Sequence, residues 1–200
     1  MIDFRVYDES DAPEEARPVL AAAKRRMGFV TTLNGVMAES PELLAGYNAL
    51  AEQFGRSSLS PAARHVVLIT ASVENGCEYC VAAHSTVALK GRVPAEVVAA
   101  LRAGEPLADP ALEAVRLLTH DLVARRGWVE DAVIEAFLAA GHTRRQVLDV
   151  VLGVGMKTLS NYTNHVACTP LDPAWRDQEW TRPQPASASV GVSAAARRAG

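Results

Sequence analysis

The sequence contains residues at regular intervals that favour the start or the end of a helix. In "AESPELLAGY" and again in "LSPAARHVVL", a serine is followed at once by a proline, as Ser40-Pro41 and Ser60-Pro61. A serine hydroxyl can accept a hydrogen bond from a free backbone N–H at a helix start, and proline has no N–H to leave unpaired there. Glycines such as Gly91 follow several apolar segments, where they favour a helix end. The chain is therefore predicted to fold as a succession of α-helices.

Apolar residues within these segments recur at helical spacing. Leu43, Tyr47, Leu50 and Phe54 are three or four residues apart, which puts them on one face of a helix. The predicted helices, the last of which opens with a T-x-x-Q capping box, span approximately residues 13–27, 41–54, 61–74, 77–90, 94–103, 110–126, 130–140 and 143–166. Only the valine-rich segment 147–154 would also suit a strand. We therefore expect an all-α fold.

Length and composition are those of one helical domain with a tail. Two hundred residues, 49% of them hydrophobic and only 6% aromatic, are enough for one well-buried core. From Thr181 the sequence "TRPQPASASVGVSAAARRAG" is small and polar and has no bulky apolar residues. Such a segment cannot bury enough apolar surface to fold. We expect a domain over residues 1–180 and a disordered tail over residues 181–200.

The charge and cysteine content exclude several classes of protein. With 20 basic and 23 acidic residues the net charge is −3, so we expect no basic surface and no nucleic-acid partner. No run of about 18 apolar residues is present to span a membrane. The acidic start "MIDFRVYDESDAPEE" is unlike a secretory signal. We expect a cytoplasmic protein, in which a C-x-x-C pair favours redox or metal chemistry over a structural disulfide.

The segment "ENGCEYCVAAH" carries the residues most suited to chemistry. On a helix, Cys77, Cys80 and His84 would share one face. The positive end of the helix would favour a thiolate, and a histidine four residues away could take the thiol proton directly or through a water. The second thiol could trap an oxidised sulfur as a disulfide. Such surroundings lower the pKa of a cysteine and make its thiolate abundant at neutral pH.

Other roles for the motif carry less support from the sequence. Haem attachment would need a histidine where Val81 stands, and a thioredoxin-type motif would need a preceding strand. A structural zinc site normally has a fourth ligand, which His65, His165 or Cys168 would have to supply from a distance. The two cysteines could also serve as small apolar packing residues. Redox chemistry is the favoured interpretation, and the zinc and packing alternatives stay open.

The segment "LSPAARHVVLITASVENGCEYCVAAHSTVALKGRVPAEVVAAL" resembles the alkylhydroperoxidase D and carboxymuconolactone decarboxylase superfamily. Within it, "NGCEYCVAAH" is similar to the signature of the redox branch. The flanking "GFVTTLNGVMAESPELLAGY" and "KTLSNYTNHVACTPLDP" resemble peroxidase-related members. The resemblance covers most of residues 4–180, with a redox core at about residues 60–103.

The resemblance implies an all-helical fold, assembly as a homo-oligomer, and thiol-dependent reduction of hydroperoxides without a cofactor or a metal. Carried over to this sequence, Cys80 attacks the hydroperoxide, Cys77 resolves the oxidised sulfur as a disulfide, and His84 handles the proton. An external dithiol of the lipoyl or thioredoxin type would then reduce the disulfide. The rival functions are a carboxymuconolactone decarboxylase-like enzyme and a non-enzymatic zinc or redox module.

One position departs from the pattern of the family. Many members carry a glutamate twelve residues before the first cysteine as a proton relay, and this chain has His65 there. A histidine there could relay protons itself, with a pKa nearer neutrality, or it could be a solvated residue at the helix start. Glu74, three residues before Cys77, is the expected substitute acid. A later polar group, Asn161, Asn164 and His165, is a candidate for lining the same pocket, whereas Cys168 is expected to have no redox role.

Overall fold

The computed structural model describes residues 3–183, and every regular element in this range is a helix. The α-helices are α1 (Arg17–Met27), α2 (Thr32–Met37), α3 (Pro41–Gly55), α4 (Pro61–Glu74), α5 (Glu78–Lys90), α6 (Ala95–Ala103), α7 (Pro110–Ala124), α8 (Asp131–Ala139) and α9 (Arg144–Ala167), with 3-10 helices at Glu14–Ala16 and Pro173–Gln178. The predicted all-α fold is confirmed. Segment 147–154 is helical, and most of the expected tail, residues 184–200, lies outside the described residues.

The helix starts follow the capping signals in the sequence. Ser40 accepts a hydrogen bond from the backbone of Leu43, and Ser60 accepts one from Ala63 at 3.1 Å. At the start of α9, Thr143 and Gln146 form both halves of the capping box. Each side chain pairs a backbone group that the first helical turn would otherwise leave without a partner.

Helix α4 is the centre of the core. Its residues Val66, Val67, Ile69 and Ala71 have no exposed surface, and α5, α6, α7 and α9 pack against this helix. This agrees with the uninterrupted apolar run of α4, which has no polar face to turn to solvent. The described residues include no helix with the length and apolarity that a membrane span requires.

The turn between α4 and α5 presents the cysteines. Asn75 ends α4, Gly76 adopts a left-handed φ of +65°, and the backbone N–H of Cys77 donates to the carbonyl of Ser72 at 2.9 Å. Cys77 is therefore the N-cap of α5, and Cys80 is its third residue. Both cysteines lie at the positive end of a 13-residue helix, as the sequence predicts.

Two short helices were not predicted, and one buried carboxylate holds both in place. Asp172, just before the 3-10 helix Pro173–Gln178, accepts hydrogen bonds from the backbone and hydroxyl of Thr32 at the start of α2 and from the Tyr79 hydroxyl. Helix α2 contains Asn34 and Gly35, which are poor helix formers. Thr31 caps it through the backbone N–H of Asn34, and the contact with Asp172, which local sequence spacing does not reveal, supports the same end of the helix.

We predict that Gly153→Ala destabilises the protein. A Cβ at this position of α9 would lie 2.6 Å from Cε2 of Phe54 and 2.7 Å from Cγ1 of Val67, so three helices would have to move apart. Overpacking of this kind costs about 1–3 kcal/mol. The free energy of unfolding from urea titration should fall accordingly.

Gly155→Ala is the matched control on the same helix. A Cβ there would meet no atom within 4 Å. Alanine is favoured over glycine in a helix by about 1 kcal/mol, so this variant should be as stable as the wild type or more stable. Equal effects of the two substitutions would contradict the close packing of α9 against α3 and α4.

Candidate active site

The two thiols lie together under the last turns of α9. Cys77 and Cys80 are free thiols with 1% and 2% exposure. The side-chain amide of Asn164 donates to both, at 3.2 Å from Sγ of Cys80 and 3.6 Å from Sγ of Cys77. The Ser160 hydroxyl lies 3.9 Å from Sγ of Cys80. One amide thus spans the two sulfurs and holds them on the same side of α5.

Lys157 is the charged residue of this group. It is one turn before Ser160 on the same face of α9, and it has no exposed surface. Its Nζ lies 2.8 Å from Nε2 of His84 on α5. Among residues 3–183, no carboxylate forms an ion pair with it. A buried ammonium requires a compensating charge, and the sulfur of Cys80 is the group able to supply one.

The pKa values of the two thiols are shifted in opposite directions. Burial alone would raise the pKa of Cys80, but the hydrogen bond from Cys77, the charge of Lys157 and the hydroxyl of Ser160 together bring it well below its ordinary value. The hydrogen bond to Cys80, and then burial, raise the pKa of Cys77. The pair therefore holds one proton, which stays on Cys77 while Cys80 is the thiolate.

Both nearby histidines are neutral. Burial, and then the charge of Lys157, lower the pKa of His84 well below its ordinary value. Burial and the charge of Arg64 lower the pKa of His65. Because Lys157 donates to Nε2 of His84, the histidine is linked to the thiolate through the ammonium. Among the described residues His84 makes no direct hydrogen bond to either sulfur, and its role in proton handling stays a prediction.

The two candidates for the second relay position lie in different places. His65 lines the same cavity as Cys80 and His84, and its Nδ1 is buried without a hydrogen-bond partner in the described part of the chain. Glu74 is the last residue of α4, and its charge acts on Arg116 of α7. Its side chain makes no hydrogen bond to the thiols within residues 3–183. The geometry thus brings His65, and not Glu74, to the cavity.

A cavity of about 420 Å³ leads to the thiolate. Cys80, His84 and His65 line it, whereas Cys77 does not. Most of the remaining wall is apolar or aromatic and comes from residues of six α-helices and the C-terminal 3-10 helix, including Met27, Leu33, Tyr47, Phe54, Leu68, Val87, Met156 and Trp175. Burial, and then the charge of Cys80, raise the pKa of Tyr47, so its hydroxyl stays protonated beside the site.

None of the three late polar residues, Asn161, Asn164 and His165, lines the cavity. Asn164 contacts both sulfurs, but Asn161 accepts a hydrogen bond from Asn75 at 2.9 Å, and His165 is exposed and stacks on Tyr162. Cys168 is exposed at the end of α9. Lys157 was missed in the sequence, although its spacing to Ser160 and Asn164 on one predicted helix face was a usable signal. No group of three His, Cys, Asp or Glu residues within the described range could hold a metal ion.

Comparison with known proteins supports the family assignment. The sequence profile of the carboxymuconolactone decarboxylase family matches residues 41–121, which run from the start of α3 into the last turns of α7 and include both cysteines. Residues 41–121 of this chain are therefore similar to the carboxymuconolactone decarboxylase family. The resemblance drawn from the sequence is confirmed, while no curated protein matches the chain.

Solved structures share the fold at low sequence identity. An alkylhydroperoxidase AhpD core, peroxidase-related protein from Ralstonia eutropha JMP134 is 20% identical, with a TM-score of 0.75 over 86% of this chain and 93% of that one. A peroxidase-related protein from Silicibacter sp. TM1040 is 19% identical, with a TM-score of 0.72 over 88% and 94%. The debrominase Bmp8, as its C82A variant with 2,3,4-tribromopyrrole, is 15% identical, with a TM-score of 0.76 over 89% and 96%.

We predict that Lys157→Met raises the pKa of Cys80. The substitution removes the positive charge that favours the thiolate and keeps most of the volume of the side chain. Below the new, higher pKa the thiol is protonated, and the thiolate fraction falls about tenfold for every pH unit below that pKa. Alkylation of Cys80 at neutral pH should slow in proportion. The measurement is the rate of iodoacetamide labelling of Cys80 against pH.

Lys90→Met, at the exposed end of α5, is the matched control. It removes the same charge far from the thiols and should leave the labelling profile unchanged. If the rate of Cys80 labelling depended on pH in the same way in wild type and in Lys157→Met, Lys157 would not be the counter-ion of the thiolate.

Proposed function

We propose that this protein is a thiol-dependent reductase of organic hydroperoxides that cycles through a Cys77–Cys80 disulfide. The observation that carries the proposal is the asymmetry of the dithiol. Cys80 is the sulfur with the lowered pKa and the one that lines the cavity, whereas Cys77 keeps its proton and is shielded from the cavity. A thiolate facing a cavity, with a protonated thiol behind it, suits an attacking and a resolving cysteine.

In the first step the Cys80 thiolate attacks the terminal oxygen of the hydroperoxide. The S–O bond forms, the O–O bond breaks, and the alkoxide that leaves must gain a proton to become the alcohol. Lys157, whose charge acts on Cys80, can supply this proton. The imidazole of His84, which accepts from Lys157 at Nε2, orients that ammonium at 2.8 Å. The product on the protein is the sulfenic acid of Cys80.

In the second step Cys77 attacks the oxidised sulfur. Its proton leaves with the hydroxyl group of the sulfenic acid as water, and the disulfide forms. The sum is one hydroperoxide and two thiols converted to one alcohol, one water and one disulfide. An external dithiol, of the lipoyl or thioredoxin type, would restore the two thiols. The homo-oligomeric assembly and cytoplasmic location expected from the sequence belong to the same proposal.

His65 is the group we propose for the second relay position. It lines the cavity, it is neutral, and its Nδ1 has no hydrogen-bond partner among the described residues. A neutral imidazole can both accept and donate a proton. Glu74 was expected in this role from the sequence. It does not line the cavity, and its charge acts on Arg116 of α7, so its position does not support that expectation.

A second candidate function is the reductive removal of halogen from an aromatic compound. The aromatic lining of the cavity favours it, and a solved structure of the same fold is a debrominase in complex with 2,3,4-tribromopyrrole. The dithiol would supply two electrons, so that an aryl bromide and two thiols give the arene, hydrogen bromide and a disulfide. Comparing turnover of cumene hydroperoxide and tribromopyrrole by the reduced protein distinguishes the two functions.

The cysteine variants test the hydroperoxide cycle. We predict that Cys80→Ser abolishes consumption of cumene hydroperoxide, because the attacking thiolate is lost. Cys77→Ser should allow one turnover and leave a sulfenic acid on Cys80, because nothing resolves it. Dimedone labelling followed by peptide mass spectrometry locates this acid, and Cys168→Ser, which removes only the exposed thiol, is the control expected to retain full turnover.

Two results would contradict this cycle. Sulfenic acid at Cys77 would reverse the assigned roles of the two cysteines. A Cys77→Ser, Cys80→Ser double variant that keeps full activity on a lactone or carboxylate substrate would favour the decarboxylase-like alternative, whose chemistry does not use the dithiol.

A further inference from the structure

Two arginines line the cavity without an acidic partner. Arg26 on α1 and Arg64 on α4 are both part of its wall. Arg26 donates to Oδ1 of Asn48 at 2.9 Å, and Arg64 donates to the carbonyl of Leu59 at 2.8 Å. Neither forms an ion pair with a carboxylate of the described chain. A guanidinium has five N–H donors, so most of the donors of each remain available.

The acidic residue in the same wall does not cancel this charge. Glu52 of α3 also lines the cavity, and its carboxylate lies 3.7 Å from the guanidinium of Arg56, one turn further along the helix. The two histidines of the cavity, His65 and His84, are neutral. The charge that faces the cavity from α1 and α4 is therefore positive, while most of the remaining lining is apolar.

The exposure of these groups distinguishes an outer and an inner end of the cavity. Arg26 is exposed and Arg64 is partly exposed, whereas Cys80 is buried at 2% exposure. The arginines therefore lie toward solvent and the thiolate lies at the inner end. The rest of the lining includes aromatic and aliphatic side chains such as Phe54 and Met156. A single exposed arginine would only be solvated, but two on different helices at the outer part of one apolar cavity match a ligand that is anionic at one end.

We propose that the cavity binds an apolar molecule with a terminal carboxylate, and that Arg26 and Arg64 hold this carboxylate. Guanidinium groups pair with carboxylates in a planar, two-point geometry that a hydroxyl or an ester cannot reproduce. The apolar chain then extends toward Cys80. This rests on the proposed function for the chemistry at the inner end, and it narrows the substrate class to hydroperoxides of fatty-acid-like carboxylates.

Binding of a redox-inert pair of ligands tests the proposal. Octanoate and 1-octanol have the same chain and differ in the charge of the head group, and neither can oxidise a thiol. Calorimetric titration of the reduced, full-length protein should show octanoate binding about tenfold more tightly than octanol, the range expected for a charged hydrogen bond at a partly exposed site. Equal affinities, or no measurable binding of octanoate, would overturn the proposal without any variant being made.

The variants then locate the head group. Arg26→Gln and Arg64→Gln should each weaken octanoate binding by about tenfold and leave octanol binding unchanged. Arg25→Gln is the matched control, because Arg25 is an exposed neighbour on α1 that does not line the cavity. A loss of octanoate affinity in Arg25→Gln equal to that in Arg26→Gln would assign the effect to general surface charge and contradict the site.

Binding and peroxide chemistry fail independently in this design. If the protein binds octanoate through both arginines but consumes no hydroperoxide, the carboxylate site is supported and the proposed function is contradicted. If the protein reduces cumene hydroperoxide but binds octanoate and octanol equally, the proposed function is supported and the carboxylate site is contradicted.

Discussion

The chemistry of this protein depends on one buried charge. Lys157 has no exposed surface, no carboxylate partner in the described chain, and a hydrogen bond to a neutral histidine. Removing an ammonium from water is costly unless an opposite charge compensates it. Lys157 is one of the groups that lower the pKa of Cys80, so the packing of α9 on the start of α5 favours the thiolate. The contact between α9 and the start of α5 therefore contributes both to the packing of the core and to the reactivity of Cys80.

Several features of the fold bring that pair together. The Asn75-Gly76 turn ends the buried helix α4 and starts α5 at Cys77, which points the positive end of the helix toward both sulfurs. Gly153 lets α9 pack directly on α3 and α4. Lys157 and Asn164, further along α9, then lie close to the thiols. Asp172 ties the 3-10 helix that follows it to α2 and to Tyr79, next to Cys80 in sequence. The site is thus held from both sides of α5.

Most of the helices and half of the site could be predicted from the sequence, for physical reasons that are local. Ser40, Ser60 and Thr143 cap helices through residues three positions away, and Cys77, Cys80 and His84 share one short segment. What was missed depends on distant contacts. Helix α2 is joined at its first residue, Thr32, to Asp172, 140 positions later in the chain. Lys157 is 73 positions from His84, and its burial does not follow from a single lysine in an otherwise ordinary amphipathic pattern.

The central claim is that Cys80 is a thiolate at neutral pH because Lys157 lies beside it. The most direct measurement is the ultraviolet absorbance of the thiolate, followed against pH in wild type and in Cys80→Ser. We expect the wild type to show at neutral pH a thiolate signal that Cys80→Ser lacks and that disappears only on acidification. A signal that develops only in the alkaline range, with the same midpoint in both proteins, would contradict the claim.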